Sequence, residues 1–145
     1  MIGYLPRNKG EAAKAMISHV FIGVSDFQRA VEFYTQILSE LGLVMKFIEP
    51  ENHLAGWVSP AASRPLFLIG KPYNGQLAHP GNGQMVALLA KSREVVDHVY
   101  ASALSLGAQS EGAPGLRPHY HPNYYGGYFR DLEGNKICVC CHDPV

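Results

Sequence analysis

No stretch of this 145-residue chain stays apolar long enough to span a bilayer, and Met1 to Ala15 lacks the apolar segment of a secretory signal, so the cytosol is the expected compartment. Charge of one sign is also missing. Twelve basic and twelve acidic side chains cancel, which leaves no basic stripe for nucleic acid and no polybasic run for an anionic membrane. Cysteine is scarce: three residues cannot build a disulfide framework, and Cys140 and Cys141, being adjacent, point to opposite faces of an extended strand. Linkers, low-complexity runs and phosphate-cradling glycine loops are lacking too, since Gly81-Asn82-Gly83 precedes a strand rather than a helix. No nucleophile elbow of a serine hydrolase is present. What remains is a globular chain, 47% hydrophobic and 17% charged, whose default partner is a small molecule.

The order of elements is written twice. Ser18 to Val24 reads as a strand, and Ser25 with Gln28 reads as a capping box. Phe27, Ala30, Val31, Tyr34, Ile37, Leu38 and Leu41 then recur at helical spacing, predicting a helix from Asp26 to Leu41 that is closed by Gly42 in a left-handed cap. Strands are predicted at Leu43 to Ile48, His53 to Val58 and Leu66 to Ile69, with turn material at Glu49 to Asn52 and Ser59-Pro60. After the turn-rich piece Lys71 to Gly83 the order returns. Gln84 to Ala90 is a strand, Ser92 caps a helix carrying Val95, Val96, Val99, Tyr100, Ala103 and Leu104, and Leu106-Gly107 ends it. Ala108 to Ser110, Tyr125 to Arg130 and Lys136 to Cys141 supply the last strands. The expected class is α+β: two βαβββ modules, about 16–70 and 83–145, in one domain spanning 16–145 behind an N-terminal extension, 1–15.

Chemistry concentrates near the C-terminus. The loop from Gly115 holds Arg117, His119, His121, Tyr124 and Tyr125 and leads to a hairpin whose return strand carries Cys138, Cys140 and His142 on one side. Arg117 offers a planar fork for a carboxylate or only tethers the loop; His119 or His121 can relay a proton near neutral pH or be solvated. Tyr124, Tyr125 and Tyr128 are candidates for the wall of a site, with at least one facing the core. Trp57 is either an aromatic wall or core packing. Cys138 is a nucleophile if paired with His119 or His121, and otherwise an inert buried thiol. Glu94, Asp97 and Glu111 read as solvated charges.

His19-Val-Phe-Ile-Gly-Val-Ser-Asp-Phe27, Ala30-Val-Glu-Phe-Tyr34 and Asp131-Leu-Glu-Gly-Asn-Lys-Ile137, in this order, resemble the vicinal oxygen chelate superfamily of glyoxalases, bleomycin-resistance proteins and extradiol dioxygenases. The loop Gly115 to Gly126 resembles a glyoxalase-like subgroup. That resemblance implies two βαβββ modules with curved sheets around a cleft, a divalent metal at its base, and a homodimer. It places the ligand positions on His19, Gln84 and Cys138, with an optional fourth near Leu68. Histidine and glutamate are commoner at the second and third positions, and a His, Gln and Cys set favours Zn over harder ions. Two functions follow as expectations: a metal-dependent lyase, isomerase, dioxygenase or transferase acting on a small organic substrate, or a metal-free binding protein of the resistance type that holds an aromatic or cationic molecule.

Overall fold

The computed structural model describes residues 15–145, so the expected extension lies almost wholly outside the described residues. The first module runs β1 (His19–Gly23), α1 (Phe27–Glu40), β2 (Val44–Glu49), β3 (Leu54–Val58) and β4 (Leu66–Gly70). The second runs β5 (Val86–Leu89), α2 (Arg93–Ser105), β6 (Gln109–Leu116), β7 (Tyr125–Arg130) and β8 (Lys136–Cys141). Each module folds as one four-stranded mixed sheet, ordered β1-β4-β3-β2 and β5-β8-β7-β6, with the parallel pairs β1/β4 and β5/β8. The α+β architecture of two repeated βαβββ modules is therefore the observed one.

Local chemistry explains most of the boundaries. Gly42 and Gly107 take φ of 82° and 106°, and behind them Leu43 and Ala108 donate back to the carbonyls of Leu38 and Ala103, closing both helices alike. Ser92 caps α2 by accepting from the Val95 N–H at 3.2 Å. The first helix departs from the expected capping box. Asp26, not Ser25, is its N-cap, accepting from Arg29 N–H, because the Ser25 N–H is taken by the Glu133 carboxylate at 2.5 and 2.7 Å and the Ser25 hydroxyl accepts from Ala78 N–H. A turn of the second module thus caps a helix of the first.

Strand β6 is longer than the three residues predicted, running to Leu116 through Gly112, Pro114 and Gly115. It is an edge strand with register shifts between Ser110 and Gly115, where a proline and bulges are tolerated. The helices cover one face of the sheets. Their cover is a single hydrophobic cluster drawing Ile22, Trp57, Phe67 and Ile69 from the first sheet and Phe129, Ile137, Val139 and Cys141 from the second. Phe33, outside the predicted stripe, is buried because α1 also meets the second module, its ring edge-on to Phe129. Tyr34 donates to the buried Asp131 carboxylate at 2.5 Å across the same seam.

Candidate functional site

Alternation decides which residues reach the uncovered face of the second sheet. On β8, Ile137, Val139 and Cys141 belong to the core, so Lys136, Cys138, Cys140 and His142 face the other way. Tyr128 lies opposite Cys138 and Gly126 opposite Cys140. Gly126 lacks a Cβ where one would meet the Tyr124 ring at 2.9 Å, and that space lets Tyr124 lie flat over the strand. Its hydroxyl reaches Tyr128 Oη at 3.0 Å and Cys138 Sγ at 3.5 Å. Beyond Cys140, His142 contacts the thiol at 3.6 Å and His121 Nε2 at 2.8 Å.

Glycines also seat the cation. Arg117 lies along β6, where a Cβ on Gly115 would stand 3.0 Å from its guanidinium. The group donates to the Ala113 carbonyl at 2.8 Å and to the Leu116 carbonyl at 3.4 Å, and its carbon stands 5.5 Å from the centre of the Tyr128 ring. Lys136 Nζ lies 5.8 Å from the same ring. Neither cation forms a salt bridge among the described residues. Arg130 is the neutralised one, bound to Glu111 at 2.8 Å, and that bond holds the Glu111 carboxyl below its usual range.

The thiols diverge in acidity for reasons visible in this geometry. A hydrogen bond from Cys140, helped by the Tyr124 and Tyr128 hydroxyls and by the charge of Arg117, outweighs burial and draws Cys138 down to about 7. Cys140, donating to Cys138, is pushed far up and stays a thiol. Burial, followed by the bond to Cys138, keeps the Tyr124 hydroxyl protonated far above its ordinary range. All three cysteines are free.

Several expectations are corrected here. Trp57 is 1% exposed and packs edge-on to Phe67 in the core, so it walls no site. Tyr125 is the tyrosine that faces the helix side: it donates to Asp97 at 2.6 Å beneath the Arg93 guanidinium, so Asp97, like Glu111, is a partnered charge. His119 is exposed, its ring tilted at 44° against Tyr120 with centres 4.3 Å apart, while His121 alone of the loop histidines joins the cluster through His142. Arg117 does tether its loop, and it also presents its charge to the uncovered face. Lys136, Cys140 and His142 complete the site; strand parity counted from Cys138 was the signal for all three.

The metal-ligand positions fare differently. His19 lies on β1 with its Nδ1 3.0 Å from the Ser18 hydroxyl. Gln84 precedes β5, and its side chain folds over Gly81, where a Cβ would stand 2.6 Å from the amide. The β5 residue level with Cys138 is Ala87, three positions on, or about 10 Å at strand rise. Counting back from the helix caps is informative: His19 precedes Asp26 by seven (26 − 19), and the residue seven before Ser92 is Met85 (92 − 85). Met85 also alternates with Ala87 onto the uncovered face, so a thioether stands where the first module has imidazole. Leu68, level with Phe21 on β1, offers no donor at all. Among the described residues, no group of three or more His, Cys, Asp or Glu converges on a possible ion. One imidazole, one thioether and one thiol capped by Tyr124 do not fit a hard divalent ion within this chain.

The chain matches the family described as the Glyoxalase/Bleomycin resistance protein/Dioxygenase superfamily over residues 16–139. It is similar to the crystal structure of a glyoxalase/bleomycin resistance protein from Albidiferax ferrireducens T118, at 34% identity and a TM-score of 0.78, covering 88% of this chain and 99% of that one. A glyoxalase-related enzyme from Fulvimarina pelagi shares the fold at 17% identity and a TM-score of 0.67, with 87% of each chain covered. So does a glyoxalase/bleomycin resistance protein/dioxygenase family enzyme from Burkholderia phytofirmans PsJN, at 18% identity and 0.65, covering 89% and 100%. No curated protein sequence matches the chain.

Proposed function

The chain belongs to the Glyoxalase/Bleomycin resistance protein/Dioxygenase superfamily, and from that premise we propose that it binds a small organic acid on the uncovered face of its second sheet without a resident metal. The observation that carries this reading is the pair of cations, Arg117 and Lys136, set against the Tyr128 ring, neither in a salt bridge among the described residues. A guanidinium fixed by two carbonyls is already ordered, so an incoming carboxylate meets a prepaid geometry. The Tyr124 and Tyr128 hydroxyls beside it add donors for a second oxygen. The mismatch of Met85, Leu68 and capped Cys138 to a hard ion supports binding over metal-dependent lyase, isomerase or dioxygenase chemistry.

Calorimetric titration with a panel of aliphatic and aromatic carboxylates, each beside its neutral amide, tests the reading. Carboxylates should bind and amides should not. Arg117→Ala should weaken binding by about ten- to a hundredfold, the loss of one charged hydrogen-bonding group, at nearly unchanged thermal midpoint. Equal binding of acids and amides overturns the proposal, as does stoichiometric metal in protein purified without chelator or metal-affinity resin.

We also propose that two copies associate. The apolar side chains left on the uncovered sides, Phe21 at 48% exposed, Met85 at 44% and Leu89 at 67%, support a homodimer, which light scattering across concentration would test. No described helix is long and apolar enough to cross a membrane. Three unpaired cysteines support the cytosol as its compartment.

A further inference from the structure

The connection between the modules, residues 71–83, is fastened to both of them. At its start the Lys71 N–H donates to the His53 carbonyl at 3.1 Å. Further on, the Ala78 N–H donates to the Ser25 hydroxyl at 2.8 Å, and Pro72 and Ala78 close on Gly23 of β1, where a Cβ would stand 3.7 and 3.6 Å from them. Pro80 does the same at Gly134 of the second module, where a Cβ would stand 3.2 Å from its ring. Between these anchors the chain turns on itself. Gly75 N–H donates to the Pro72 carbonyl at 2.9 Å, and Gln76 N–H to the Asn74 side chain at 3.0 Å. A strap held in this way keeps the space beside it formed.

That space is a trough of two cavities, about 530 and 440 Å³, which share Phe21, Gly23 and His79 and have the size of small-molecule sites. Its apolar side chains are left in water: Phe21 is 48% exposed, Leu77 82% and Met85 44%. The Phe21 ring lies down over β4, where Gly70 lacks the Cβ that would stand 3.0 Å from the ring tip. Charge in the trough is of one sign. Lys71 lines one cavity and Lys136 the other, and among the described residues no Asp or Glu lines either. Lys136 also stands 5.8 Å from the centre of the Tyr128 ring, so one cation joins the trough to the face assigned to the acid.

We propose that this trough receives the aromatic body of the organic acid, which makes the ligand an aryl-substituted carboxylate and not a short aliphatic one. The inference deepens the acid-binding reading and rests on it. A ring gains most from what the trough offers: an aromatic face at Phe21, a thioether at Met85 and an aliphatic side chain on the strap at Leu77, all of them wet until it is filled. A cationic body is excluded, because it would meet two lysines with no carboxylate among the lining residues to offset them. Since the anchors form the trough in advance, binding orders few side chains.

Amide NMR titration of the native protein with 3-phenylpropionate and with propionate, probes that differ by one ring, provides the test. Phenylpropionate should bind about tenfold tighter, the scale of burying one ring, and should move the Gly23, Leu77 and Ala78 signals that propionate leaves in place. Phe21→Ala and Leu77→Ser should each remove several-fold of that gain at nearly unchanged thermal midpoint, since both side chains are largely exposed. Equal affinity for the two probes, or shifts confined to the Arg117 loop and β7, would overturn the proposal. A second copy of the chain is the rival occupant of Phe21 and Met85. Light scattering in which Phe21→Ala dissociates a dimer, with phenylpropionate affinity unchanged, would overturn it too. Acid binding that needs Arg117 but gains nothing from the ring sinks this inference alone. Binding of 3-phenylpropionamide as tight as that of the acid, and still weakened by Phe21→Ala, sinks the acid reading alone.

Discussion

Cys138 and Cys141 occupy the same strand, three residues apart, and odd spacing gives them opposite chemistry: one meets phenols and thiol, the other Ile137 and Val139. The expected consequence is a pH signature. The folded Cys138 value near 7 lies below the ordinary 9.0, so the stability it contributes is fully present above about 9 and is lost as pH falls through about 7. Cys140 is shifted the other way, so the pair should release one proton, not two, across that window. Thiolate ultraviolet absorbance should show one thiol ionising near 7, and Cys138→Ser should abolish that step. At the seam, Tyr34 supplies a buried hydroxyl to Asp131, whose other oxygen already accepts from the Glu133 and Asn135 N–H groups. Tyr34→Phe keeps the ring and removes the donor, and should cost about 1.5–3 kcal/mol in urea unfolding.

Helix α1 shows which elements were legible in the sequence and which were not. Its apolar spacing and its Leu41-Gly42 stop were local signals, and the structure follows both. Which residue caps it was not legible locally: Asp26 bonds Arg29 N–H within the helix, but Ser25 is taken out of that role by Glu133, which reaches Ser25 and Asp26 N–H across 108 and 107 residues, and no window of sequence carries that. Glu133→Ala should therefore destabilise the chain by about 1 kcal/mol, the scale of a lost cap, a shift that calorimetry can read. The same division holds at the site. Strand parity from Cys138 was sufficient to find Cys140, His142 and Lys136, whereas preferring Met85 over Gln84 needed the observed cap at Asp26, since counting from the expected cap at Ser25 points to Val86. Contacts such as Tyr125 with Asp97, or His121 with His142, needed the chain folded. Trp57 and Phe33 show the remaining ambiguity, since an aromatic side chain on a strand or helix reads alike whether it lines a site or fills a core.

At the scale of the whole molecule, the two sheets share no ladder, so what joins the modules is the helix layer and the seam beside it. Phe33 stands edge-on to Phe129, Tyr34 meets Asp131, and Glu40 accepts from Ser102 of the opposite helix at 2.9 Å. Because the apolar cluster runs unbroken across that seam, neither module can expose its half without losing part of the other's core. Unfolding should then follow one cooperative transition, coincident by tyrosine fluorescence and far-ultraviolet dichroism. Phe33→Ala opens a cavity where the modules meet and should cost about 3–5 kcal/mol, a large share of the roughly 5–15 kcal/mol by which domains of this kind are stable. Its form is as informative as its size: the transition should move to lower denaturant as a single step. Two separate steps, with the site tyrosines of the second module surviving the first, would mean that the modules are coupled only by their connecting chain, and the seam would then have no part in positioning the site.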